Sequence, residues 1–184
     1  AFLAVVRECR DSARWPWTPH GDAYAVAAGA PIAALLALWF VAVNVLSPGD
    51  VAPLPYVPVG NVLDLTLAVA LIVLLAWAKR FTRLTAAQRY AKLGIALFIA
   101  LNGVVLRTAH QWGDIPWRLS ALLASKPLQA SLTLAWSLTA VALMYAATRR
   151  RLRPLWMVGA ALLAVVVGKL FRVDLGALSG LPRV

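Results

Sequence analysis

Residues Thr148–Leu175 read TRRRLRPLWMVGAALLAVVVGKLFRVDL, and this stretch decides the fold class. Four arginines (Arg149, Arg150, Arg151 and Arg153) give way at Pro154 to an apolar run from Leu155 to Gly168 without interruption. Leu170 and Phe171 extend the run past Lys169, and Arg172 and Asp174 follow it. Counted through Phe171, the segment is about as long as a helix needs to cross a bilayer core. The basic cluster before it marks the cytoplasmic side. The charges after it are the first place to look for function, because ionisable groups at membrane depth are costly.

Composition extends that reading to the whole chain. Its 184 residues are 62% hydrophobic and 14% charged, well below the roughly 25% charged residues of a soluble domain. Mean hydropathy is +0.78. A net charge of +11 would fit nucleic acid if the basic residues lined one face. They alternate instead with long apolar runs, as in a polytopic membrane protein with basic cytoplasmic loops, so nucleic acid is rejected as a partner. Cys9 is the only cysteine, which excludes an internal disulfide and any zinc or iron–sulfur spacing. No metal or other cofactor is expected. The chain starts at Ala1 with no signal-peptide architecture and reads as a fragment of something longer.

Five spans are expected, in an all-α fold. Residues 1–22 form a cytoplasmic, interfacial lead-in with Trp15 and Trp17 at the membrane surface. The spans run at about 23–46, 62–78, 90–109, 128–147 and 155–171, within a helical region of 23–175, and 176–184 lead outward. Gly29 and Pro31 predict a kink in the first span. The loop Ser47–Asn61 holds four prolines and no Lys or Arg, so it is read as an outside loop. Lys79–Lys92 holds five positive charges and no acid, and is cytoplasmic. A short interfacial helix is expected at about Ile115–Ser125. Of eighteen Lys and Arg, twelve fall in the three inside segments, so an N-inside orientation satisfies the positive-inside bias.

Three polar groups carry what chemistry the sequence offers. Spacing puts Gly103, Arg107, His110 and Asp114 on one helical face. A histidine beside a carboxylate is a proton-transfer pair, and Arg107 is suited to an anionic headgroup. The bland alternative has Asp114 capping the Ile115 helix and Arg107 reaching to the interface. Lys169 and Arg172 form the second group, two cations on one face that need a counter-charge from Asp174, Asp64 or Asp114; the alternative is plain snorkelling. The third is a stripe on span four, Gln129, Thr133, Trp136 and Ser137, read as helix glue. Ala160, Ala164 and Gly168 make a ridge of small residues suited to close helix approach.

Four blocks together resemble the C-terminal part of a family of bacterial multispanning membrane proteins known as domain of unknown function 2339. They are PYVPVGNVLDL (Pro55–Leu65), RTAHQWGDIPW with ALLASKPLQASLTLAWSLTAVALM (Arg107–Met144), LWMVGAALLAVVVGKLFRVDL (Leu155–Leu175) and the terminal LSGLPRV. The resemblance implies many consecutive spans in a bacterial inner membrane and brings no established activity. Val62 departs from it, since the family more often has proline there. The family also usually continues through an Arg-x-x-Ser-Phe stretch, beginning at the position of Arg183, into one more helix, so further helices of a longer parent chain are expected partners.

Three functions follow for test. The first is a non-catalytic envelope scaffold or assembly component, favoured by the absence of any catalytic signature. The second is a transporter or lipid- and glycan-handling protein, in which Arg107, Lys169 and Arg172 converge on an anionic lipid or glycolipid at the outer leaflet. The third is an intramembrane transferase, with His110 working with Asp114 or Asp64 as base and Arg107 holding an anionic donor. Convergence of Asp64, His110 and Lys169 around a space favours the second or third, and pairing-off of these groups favours the first.

Overall fold

The computed structural model of the chain describes residues 17–51, 53 and 55–178. The lead-in with Trp15 and the terminal LSGLPRV block from Ser179, with Arg183, lie outside the described residues, as do the side chains of Trp17 and Asp174. The described residues form six helices: α1 (Trp17–Leu46), α2 (Val62–Phe81), α3 (Ala86–Gly113), α4 (Leu119–Ala124), α5 (Lys126–Arg150) and α6 (Arg153–Leu178). No strand occurs among them. Five of the helices are long and apolar enough to cross a membrane, over Val26–Leu46, Val62–Arg80, Ala86–Gly113, Lys126–Arg150 and Arg153–Arg172. A helix suits that setting because it satisfies its backbone polar groups within one segment. Large apolar side chains such as Leu35, Leu38, Leu134 and Leu138 are exposed along these helices. In water such surface would be an aggregation hazard; in a bilayer it is the face that lipid tails wet.

Local signals set the helix ends. Asn61 caps α2, its side chain accepting from the Leu63 N–H at 3.2 Å. Thr85 and Gln88 close a reciprocal capping box at the start of α3, with bonds of 3.2 and 2.9 Å. Ser125 caps α5. Arg151 ends α5 in the left-handed region (φ 53°), and Leu152 N–H returns to the Ala147 carbonyl at 2.9 Å. This is a Schellman turn, and it reverses the chain at once into α6.

The described residues fall into two compact units, one ending at Asp114 and one beginning at Ile115. In the first, α1, α2 and α3 pack on one another. α1 runs as a helix through both Gly29 and Pro31. Gly29 is where α1 meets α2: a Cβ there would lie 2.5 Å from Trp77 Nε1. Glycine at this position therefore answers to packing.

In the second unit α5 and α6 form an antiparallel hairpin, with Leu128, Ala140, Ala147, Gly159 and Val166 buried. The close approach falls at Gly159, where a Cβ would lie 2.7 Å from Met144 Cγ and 2.9 Å from the Ala140 carbonyl oxygen. This corrects the expected ridge of Ala160, Ala164 and Gly168. Ala164 and Gly168 are exposed, and a Cβ on Gly168 would meet nothing within 4 Å. One residue of helical offset, about 100°, separates the two stripes. The interfacial helix is also shorter than expected. Ile115–Arg118 stays outside α4, with Pro116 carrying no N–H to donate and its carbonyl taking the Arg118 N–H at 2.7 Å.

Candidate functional site

The polar groups of the first unit gather where the Pro-rich loop, residues 47–61, meets the start of α2 and the last turns of α3. Asp64 stands in the first turn of α2. Its Oδ2 accepts from the Val59 N–H at 3.1 Å, and Val59 itself takes a left-handed turn (φ 65°). Its Oδ1 accepts from Arg107 Nη2 at 2.6 Å. The two side chains are 6% and 0% exposed, so this is a desolvated, charge-assisted pair.

The loop is lashed over that pair. Gly49 (φ +82°) lies against the arginine stem so closely that a Cβ would sit 2.6 Å from Arg107 Cδ. Asn61 donates from Nδ2 to the Gly49 carbonyl at 2.8 Å while capping α2, so one side chain joins loop and helix. Gln111 donates to the Pro48 carbonyl at 3.3 Å and to the Asp50 carboxylate. Trp112 Nε1 reaches the Tyr56 carbonyl at 3.4 Å. Below the loop, Asn44 of α1 is buried and donates to the Phe40 carbonyl at 2.8 Å. Gly103 admits it: a Cβ there would lie 2.5 Å from Asn44 Oδ1 and 3.1 Å from both Arg107 Nη atoms. Asn44 Oδ1, Tyr56 Oη, and Arg107 Nε and Nη1 are buried without a protein hydrogen-bond partner.

The expected single face of Gly103, Arg107, His110 and Asp114 divides. Gly103 and Arg107 are buried, His110 is half-buried and Asp114 is exposed. Asp114 is the left-handed cap (φ 48°) that terminates α3, which corrects its expected role as a cap on the following helix. α4 starts five residues later, behind Arg118 and without a side-chain cap. Arg107 therefore takes its carboxylate from α2, across the helix pair. Asn44, Gly49, Tyr56 and Asn61 were not candidates from sequence. Asn61 and Asp64 do lie in one of the family-like blocks and Arg107 in another, and the fold brings those blocks together.

In the second unit Lys169 reaches across the hairpin from α6 to α5. Its Nζ donates to the Gln129 carbonyl and to Thr133 Oγ1, each at 3.1 Å, and lies 5.6 Å from the centre of the Trp136 ring. Thr133 Oγ1 donates in turn to the Gln129 carbonyl at 2.7 Å, which leaves its lone pairs to the ammonium. The stripe read as helix glue is thus the seat of a cation. Arg172, one turn further along α6, is exposed.

A family model described as "Predicted membrane protein (DUF2339)" matches residues 1–184. No curated protein and no solved structure matches the chain.

Proposed function

The chain belongs to this family of predicted membrane proteins, and we propose that it is a non-catalytic scaffold or assembly component of the bacterial inner membrane, with a cytoplasmic N-terminus. One observation carries the reading: Arg107 and Asp64 pair with each other at 2.6 Å and out of solvent. The guanidinium is 0% exposed, so an anionic donor or headgroup would have to open the loop to reach Nε or Nη1, and a base at Asp64 would have to give up its ion pair. The pair instead ties α2 to α3 beneath a closed loop, which suits a part whose work is to hold a shape. The orientation rests on the basic turns at Lys79–Lys92 and Arg149–Arg153, which the positive-inside bias places in the cytoplasm.

The test replaces the pair by apolar groups of similar volume, Asp64→Leu with Arg107→Met, in the intact protein. A scaffold retains its cross-linked membrane neighbours and complements a deletion strain as the wild type does, because such replacements leave a buried pair's stability near neutral. A double variant that folds to wild-type level and keeps its neighbours, yet fails to complement, sinks the reading and assigns the charges to chemistry.

A further inference from the structure

We propose that the end of the α5–α6 hairpin remote from the arginine-rich turn is a binding site for the phosphate headgroup of an anionic phospholipid. This inference is independent of the scaffold reading, since it uses the other unit and none of the Arg107 contacts.

Lys169 does not behave as a snorkelling lysine. Its ammonium is anchored on Gln129 and Thr133 of α5, and Thr133 stands seven residues, about 10 Å, inside the start of that helix. A lysine extending freely to the membrane surface would leave these α5 acceptors unused. The acceptors that hold it are neutral, and the Trp136 ring adds only its π face. Two of the three ammonium donors are engaged by Gln129 and Thr133, and among the side chains described no carboxylate pairs with Lys169. A fixed positive charge therefore remains at membrane depth.

The register of the hairpin adds two more. Lys126 on α5 and Arg172 on α6 each lie three residues outward from Gln129 and Lys169 along their own helices, at the same end of the hairpin. Both are exposed. Lys126 also opens α5, whose N-terminal dipole adds a partial positive charge. Three cations at one end of the hairpin, beside exposed Leu170 and Phe171, describe an amphiphile with an anionic head and apolar tails. Inorganic phosphate offers the same head without the tails, and the exposed apolar flanks decide for the lipid.

The intact protein is purified in mild detergent, exchanged into mixed micelles holding equal amounts of phosphatidylglycerol and phosphatidylcholine, and read by native mass spectrometry. Wild type retains phosphatidylglycerol in preference to phosphatidylcholine. The variant K126Q/R172Q, which leaves the Lys169 bonds and the hairpin core untouched, loses that lipid about 30-fold, since each basic residue near an anionic surface contributes about fivefold in affinity. The charge-matched control R150Q/R151Q, at the opposite end, keeps it. Equal retention of the two lipids overturns the proposal, as does an equal loss in the control. Displacement of the lipid by millimolar inorganic phosphate overturns it too, because the site would then recognise the free anion.

Discussion

Arg107→Met, Asp64→Leu and the combined variant form a cycle that measures what the buried pair contributes. Met keeps most of the arginine stem that packs against Gly49, so the loss is chiefly the charge. In R107M the Asp64 carboxylate, 6% exposed, keeps one bond from the Val59 N–H. In D64L the guanidinium, 0% exposed, loses its carboxylate while Nε and Nη1 already have no protein partner. Removing one member of a buried pair costs about 3–5 kcal/mol. R107M is expected at about 3 kcal/mol and D64L at about 5 kcal/mol, the larger loss going to the variant that strands the more deeply buried charge. The double variant is expected to cost less than either single one, because no uncompensated charge remains. The assay is reversible unfolding in detergent micelles titrated with sodium dodecyl sulfate, followed by helical circular dichroism. Strictly additive losses would refute the reasoning, since the two groups would then be energetically independent despite their 2.6 Å separation. A D64L variant as stable as the wild type would refute it as well.

Two further outcomes follow from the glycines. Gly49→Ala places a Cβ 2.6 Å from Arg107 Cδ at a φ of +82°, so strain and overpacking together cost about 3 kcal/mol in the same assay; an unchanged midpoint would show that the loop does not seal the pair. Gly159→Ala meets Met144 and the Ala140 carbonyl and destabilises by about 1–3 kcal/mol, whereas Gly168→Ala meets nothing and gains roughly 0.5–1 kcal/mol. Reversal of that order, read from the two unfolding midpoints, would mean that the ridge of Ala160, Ala164 and Gly168 is the packing face after all.

Much of the site was half-legible. Arg107 and Asp64 each stood out as a charge in or at the end of an apolar run, which is the condition that makes an intramembrane group conspicuous. Their partnership was not legible, because a helix shows its own neighbours at three and four residues and these two lie forty-three apart in sequence. The face drawn through Gly103, Arg107, His110 and Asp114 assumed an unbroken helix. Asp114 takes a left-handed turn at its end, and a single residue of that kind redirects everything after it. Lys169 reads in the sequence as a cation and the stripe of Gln129, Thr133 and Trp136 as polar, and nothing local shows that one receives the other.

By itself the sequence determined that the chain, over its described residues, is all-helical with five segments able to cross a membrane. Apolar runs of sufficient length and charged turns between them are local quantities, and in lipid a lone segment has few ways to satisfy its backbone other than a helix. Tertiary structure alone decided which charge faces which: Arg107 against Asp64, Lys169 over α5, and Gly159 in place of Gly168 at the hairpin contact. The physical reason lies in what the hydrophobic pattern omits. Apart from α3, these helices carry little amphipathic asymmetry to announce the packed face. The register is set by fit between small residues and by a few polar groups that find partners only once the helices are side by side.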